Sequence, residues 1–138
     1  MKRYVFATHH SMASGLKDTM EFLTKSDDPI YDVSAYMNEA GDEDLAAVVA
    51  ELFSQFDSTD TVVVMTDLMS GSVNQKFFPY MNEHVFLLSG VNVPLAMQLL
   101  LTDEEELTAD YIEECVQEAR SQLLLLNTRQ ADEGDEDE

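Results

Sequence analysis

Thr61-Val62-Val63-Val64-Met65-Thr66 is the stretch on which the fold turns. Its β-branched residues favour an extended backbone, and the unbroken apolar run marks a buried strand. It leads into Asp67-Leu68-Met69-Ser70-Gly71-Ser72, a turn of small residues, and then into a helix expected to reach about Met81. His84 to Ser89 is another apolar strand, followed by the loop Gly90-Val91-Asn92-Val93-Pro94 and a short helix from Leu95 to Leu101. A last helix is expected from about Thr108, with Tyr111, Ile112, Cys115, Val116 and Ala119 on one side.

The amino-terminal half alternates in the same way. Tyr4-Val5-Phe6-Ala7-Thr8 is a short buried strand, and Met12, Leu16, Met20 and Leu23 then recur at helical spacing with Ser11 as the expected N-cap. Pro29 to Tyr36 is a second strand, followed by a polar turn ending at Gly41. Asp42 is positioned to cap a helix whose apolar face is Leu45, Val48, Val49, Leu52, Phe53 and Phe56. Strands alternating with helices predict an α/β fold: an open, doubly wound, mainly parallel sheet of order 2-1-3-4, with helices on both faces. Leu123 to Leu126 break the period. Either they end the last helix in a buried place or they form a short additional strand, which would be antiparallel.

The chain has 138 residues, too few for two independent cores, so one domain is expected over residues 1–128, with a disordered acidic tail over 129–138. The formal net charge is −21, and removing residues 132–138 still leaves −15. Seven cations cannot neutralise a run of phosphates, so a general nucleic-acid binder is excluded and anionic membrane surfaces are disfavoured. The apolar stretch from Tyr4 to Ala7 is too short for a signal peptide, and no stretch approaches the ~20 apolar residues of a membrane span. A cytoplasmic protein is the expectation. The single Cys115 reads as a small buried apolar residue.

Ligands of open α/β sheets sit beyond the carboxyl ends of the strands, where strand order reverses. That rule selects residues 8–11, 36–42, 67–72 and 90–94. The first strand ends in Thr8-His9-His10-Ser11 and the third in Thr66-Asp67. With order 2-1-3-4 those two strands are neighbours, and His9 and Asp67 face one crevice. A carboxylate accepting from one ring nitrogen fixes the tautomer and leaves the other nitrogen as a nucleophile. Ser70-Gly71-Ser72 opens a helix, where small residues and the positive end of the helix dipole suit an anion. Nucleophile, orienting carboxylate and anion cradle together specify phosphoryl transfer through a phosphohistidine. The chain has neither a metal-ligand cluster at recognisable spacing nor a Walker-type loop with lysine, so no metal or other cofactor is expected.

These motifs resemble the enzyme IIA component of the mannose family of the bacterial sugar phosphotransferase system, from the first strand to about Thr128. Ala7-Thr8-His9 is similar to that family's Gly-Thr-His. Thr66-Asp67 followed by Ser70-Gly71-Ser72 is similar to its Asp-x-x-Gly-Gly-Ser, and Gly90 to Pro94 to its Gly-x-Asn-x-Pro. The resemblance implies that His9 accepts a phosphoryl group on Nε2 from the phosphohistidine of HPr and passes it to a histidine of a IIB component. It also implies that Asp67 bonds Nδ1 and that Ser72 and neighbouring N–H groups hold the phosphate; Thr8, His10, Thr66 and Asn92 are expected to line the site. A homodimer formed by exchange of a carboxyl-terminal strand would give Leu123 to Leu126 a role.

Two departures stand out. His10 occupies a place where the family often has Gly or Asp; it reads as an exposed or capping residue, or as a rival for the phosphate that tunes His9. Leu68, Met69 and Ser70 replace the family's aromatic and glycine, which alters the pocket wall. His84 reads as structural. The phosphotransferase subunit of dihydroxyacetone kinase is the alternative enzyme reading, and a non-catalytic regulatory binding module the alternative of another class.

Overall fold

β1 (Lys2–His9) lies inside the sheet and carries its organisation. A computed structural model describes residues 1–37 and 44–129. β1 is followed by α1 (Met12–Thr24), β2 (Ile30–Ala35), α2 (Leu45–Phe53), β3 (Thr61–Thr66), α3 (Ser72–Phe77), β4 (Val85–Ser89), α4 (Val93–Leu100) and α5 (Ala109–Arg120). The strand order is β2-β1-β3-β4, and every neighbouring pair is parallel. The open α/β architecture expected from the sequence is therefore the one observed.

Strand pleating sends alternate side chains to two separate cores. Tyr4, Phe6, Val63 and Met65 face the layer of α1, α4 and α5, joining Leu16, Met20, Leu99, Ile112 and Cys115. Val5, Ala7, Val62 and Val64 face the layer of α2 and α3, joining Val49, Leu52, Val73 and Phe77. Each full burial of such a side chain contributes roughly 1.5–3 kcal/mol. Tyr4 is completely buried, and its hydroxyl donates to the Leu99 carbonyl at 2.7 Å. Burial, with the nearby Asp28 and Glu104 carboxylates, pushes its ionisation well above the ordinary phenol range.

Several local expectations are corrected. Ser11 occupies the N-cap position of α1, but its side chain makes no capping bond. The buried Thr8 hydroxyl takes that role, accepting from the Ala13 N–H at 2.7 Å. α2 is capped by Asp44, which accepts from the Ala47 N–H; the expected cap Asp42 and the turn at Gly41 lie outside the described residues. Met12, Leu23 and Val48 lie at the margins of their apolar stripes and stay exposed. α3 stops at Phe77 and tightens into a 3₁₀ turn over Phe78–Tyr80, because Pro79 lacks the N–H needed to continue an α-helix toward Met81. Leu123 to Leu126 neither end α5 in a buried place nor add a strand to the described sheet. All four are exposed, since the chain turns at Ser121 and Gln122 and leaves the core. The tail from residue 130 onward lies outside the described residues.

At the amino end of the sheet, Asp60 is 4% exposed and gathers several donors. Arg3 Nε reaches its carboxylate at 2.6 Å, the Asp57 N–H at 2.9 Å, and the terminal ammonium of Met1 lies 3.4 Å away. The hydrogen bond from Arg3 outweighs burial and holds the Asp60 carboxyl below its ordinary range. A depressed carboxylate stabilises the fold above its unfolded-state value and loses that contribution as pH falls through the folded value. Asp60→Asn should therefore cost about 2 kcal/mol at neutral pH, by loss of charge-assisted bonds. In denaturant titrations the gap from wild type should close in acid below the ordinary carboxylate range, and a pH-independent gap would refute this account.

Candidate active site

The parallel register sets Ala7 opposite Thr66, so β1 and β3 run out of the sheet side by side. His9 closes β1 and Asp67 follows β3. The Asp67 Oδ2 accepts from the His9 backbone N–H at 2.9 Å, and its two oxygens stand 3.3 and 3.2 Å from the ring Nδ1. Asp67 Oδ1 also accepts from the Leu68 N–H at 2.9 Å. Burial pushes the Asp67 carboxyl upward, but the bonds from the His9 N–H and ring prevail and hold it below its ordinary value. It is thus an acceptor at neutral pH. A neutral imidazole bonded to it carries its proton on Nδ1 and keeps the Nε2 lone pair free.

The open side of the ring lies against Gly71. A Cβ built there would fall 2.7 Å from His9 Cε1 and 3.4 Å from Nε2, so only glycine admits the imidazole at this distance. Gly71 is also the N-cap residue of α3, so the first-turn amides of that helix begin beside Nε2. Ser72 is the first residue of α3, and Ser70 is exposed in the turn before it. The side chain of His9 is 35% exposed, so the ring is held by Asp67 yet accessible from solvent.

Tyr36 supplies a wall that the sequence reading did not single out. Its ring stacks on the His9 imidazole, with centroids 5.5 Å apart and planes inclined by 25°. Its hydroxyl is hydrogen-bonded to Ser72 Oγ. Tyr36 lies in one of the four loops selected by the strand-end rule. Its contact depends on a backbone φ of +62°, which the residue type does not announce. Asn74 was also missed. Its buried amide accepts from Thr66 Oγ1 at 2.5 Å and donates to the carbonyls of Leu68 and Met69 at 2.8 and 2.9 Å.

The remaining expected site residues separate by position. Thr8 and Thr66 are fully buried behind His9 and Asp67, where Thr8 caps α1 and Thr66 anchors Asn74. His10 is exposed with φ +59°, and its N–H donates to the Ala35 carbonyl at 2.7 Å, tying the ends of β1 and β2 together. Asn92 is engaged elsewhere: its oxygen caps α4 through the Leu95 N–H at 2.9 Å, and its nitrogen donates to the Ala119 carbonyl at 3.2 Å. His84 is exposed just before β4, and its carbonyl accepts from the Val62 N–H at 2.9 Å. The arrangement provides an imidazole oriented by a carboxylate beside the start of α3, with the hydroxyls of Tyr36 and Ser72 bonded to each other at its edge.

Residues 3–116 match the profile of a family described as PTS system fructose IIA component. Among solved structures, a candidate phosphoenolpyruvate-dependent sugar phosphotransferase system permease from Klebsiella pneumoniae is 34% identical. That alignment covers 91% of each chain with a TM-score of 0.81. A PTS IIA protein associated with the fucose utilization operon of Streptococcus pneumoniae shares the fold at 21% identity and TM-score 0.72, over 94% of this chain and 96% of that one. The mannose/sorbose specific IIA subunit of Enterococcus faecalis does so at 17% and 0.71, over 91% and 95%. A search of curated proteins returned no match.

Two substitutions probe the geometry. Gly71→Ala should displace the His9 ring, visible as altered imidazole ¹⁵N shifts, and an unchanged ring spectrum would show that the packing is looser than the distances indicate. His10→Gly removes a side chain from a left-handed backbone position, where an ordinary L-residue costs roughly 1–2 kcal/mol. It should raise the unfolding midpoint without moving the His9 signals.

Proposed function

The chain belongs to the IIA family of the phosphoenolpyruvate-dependent sugar phosphotransferase system, and from that premise we propose that it relays a phosphoryl group from HPr to a IIB component through His9. Proteins of this family are phosphotransferases that act in sugar uptake. The observation that carries the proposal is the bond of Asp67 to the His9 N–H and Nδ1, with the His9 side chain 35% exposed and Gly71 packed against its ring.

In the forward step, the His9 Nε2 lone pair attacks phosphorus of the donor's phosphohistidine. A new N–P bond forms as the old one breaks, and the donor imidazole leaves with the bonding pair. The Nδ1 proton of His9 stays in place. Asp67 offsets the positive charge that phosphorylation places on the ring, while Ser72 and the first amides of α3 donate to the phosphoryl oxygens. In the return step the acceptor histidine of IIB attacks the same phosphorus, and His9 becomes the leaving group. The chemistry needs only an oriented nucleophile and an anion cradle, with no metal or cofactor.

The net charge of −21 suits transient contact with basic partner surfaces, with fast encounter and ready release. Adding about two more negative charges as phosphate is tolerable because remote carboxylates are screened over ~8 Å, while the site's donors act at contact distance. Residues 1–128 form the working domain in this reading, with 129–138 as a dispensable acidic tail. The protein acts in the cytoplasm as a homodimer in which Leu123 to Leu126, exposed in the single chain, are covered by exchange between copies. No helix among the described residues is long and apolar enough to cross a membrane.

Incubation with phosphorylated HPr should place an acid-labile phosphate on the chain. His9→Ala should abolish it and His10→Ala should leave it. Labelling that survives His9→Ala and disappears with His10→Ala would overturn the site assignment. Onward transfer to a IIB component, as against a dihydroxyacetone kinase subunit, separates the two enzyme readings.

A further inference from the structure

Two bulky residues hold left-handed backbone conformations at the edge of this site, His10 with φ +59° and Tyr36 with φ +62°. Left-handed φ in a non-glycine residue costs roughly 1–2 kcal/mol and persists only where surrounding contacts over-determine it. At Tyr36 those contacts are visible. The Ala35 carbonyl, on the peptide leading into Tyr36, accepts from the His10 N–H at 2.7 Å. The strand register already sets Ala35 opposite His9. The backbone turn then directs the Tyr36 ring onto the His9 imidazole and its hydroxyl onto Ser72 Oγ.

The two hydroxyls are hydrogen-bonded to each other, and either can donate. Each can donate one proton, and a phenol is the stronger donor of the two. When Tyr36 O–H donates to Ser72 Oγ, the Ser72 proton is left to point elsewhere, and accepting a bond makes that proton a better donor. Ser72 begins α3 directly after Gly71, whose backbone lies against His9 Nε2. In the relay reading, the Ser72 hydroxyl is the donor next in line to an acceptor carried on Nε2. The stacked ring meanwhile limits rotation of the imidazole about its Cβ–Cγ bond, complementing Asp67, which holds the Nδ1 edge.

We propose that Tyr36 is a positioning residue for the phosphoryl group. Its ring fixes the plane of His9, and its hydroxyl orients and polarises Ser72 so that Ser72 donates to a phosphoryl oxygen on Nε2. This rests on the reading of His9 as phosphoryl acceptor. No proton changes owner in the arrangement; the hydroxyls donate hydrogen bonds, and the N–P exchange is the one already described.

The test uses the full chain with phosphorylated HPr as donor, comparing wild type, Tyr36→Phe, Ser72→Ala and the double variant. Tyr36→Phe keeps the ring and loses only the hydroxyl. It should slow phosphorylation by about fivefold, the equivalent of one net hydrogen bond. It should also shift the phosphohistidine ³¹P resonance and leave the unfolding midpoint close to wild type. The double variant should be no slower than Ser72→Ala alone, because the Tyr36 hydroxyl acts through Ser72. Tyr36→Leu, which removes the stacking partner as well, should slow the reaction further and broaden the His9 imidazole signals. A Tyr36→Phe protein phosphorylated at the wild-type rate with an unmoved ³¹P signal overturns the role of Tyr36 and leaves the relay intact. Effects of Tyr36→Phe and Ser72→Ala that multiply in the double variant overturn the chain of hydroxyls. A wild-type protein that takes no phosphate on His9 overturns the relay and this proposal together.

Discussion

The parallel pairing of β1 with β3 is the constraint on which the carboxyl edge of the sheet depends. Those strands are separated in sequence by α1, β2 and α2; α1, which follows β1, packs in one layer, and α3, which follows β3, packs in the other. The chain must therefore cross from one face of the sheet to the other, and the two loops at the crossing diverge. Between them lies a crevice that no side chain has to be removed to create. His9 and Asp67 occupy its two walls because each is the residue at which its strand leaves the ladder. The sheet brings His9 and Asp67 together, and the helices hold the sheet.

That placement was legible in the sequence because it needed only strand ends and strand order. Thr61–Thr66 was bounded correctly at both ends, since six consecutive buried residues flanked by polar turns leave little freedom. His9, Asp67 and Gly71 followed from the same reasoning. Contacts set by torsion angles and by competition for donors were beyond reach. Tyr36 reaches His9 only through a left-handed backbone turn. The cap of α1 passed from Ser11 to Thr8 because a buried hydroxyl on the strand already pointed at the Ala13 N–H. Asn92 sits in a motif that suggests a site, yet the structure commits its amide to α4 and α5. Leu123 to Leu126 read as a buried helix end or an added strand, but the chain turns at Ser121 and Gln122 and carries all four away from the core.

Charge acts on two scales in this molecule. Over the whole surface the acidic excess sets the company the protein can keep. Within the crevice the Asp67 carboxylate is held ionised against burial by its bonds from the His9 N–H and ring. Bonding to the charged form outweighs desolvation there because the donors are few, close and fixed. The same balance recurs at the opposite end of β1, where Asp60 is held by Arg3 and the terminal ammonium. β1 is thus anchored by an ionised carboxylate at each end, one serving the fold and one serving the site.

Asn74 carries a consequence for how partners are met. Its amide joins β3 through Thr66, the loop after β3 through Leu68 and Met69, and the end of β4 through Ser89 at 3.3 Å. A loop fastened at both of these carbonyls does not have to fold around an incoming protein. In the proposed relay, recognition would then proceed between surfaces already in their final shape, with the speed of encounter governed by diffusion and alignment. Exposed Leu68 and Met69 are presented on that fastened loop as fixed apolar features. In that relay, what would distinguish one visiting protein from another is the fit to this rigid outline, with discrimination falling on dwell time more than on capture.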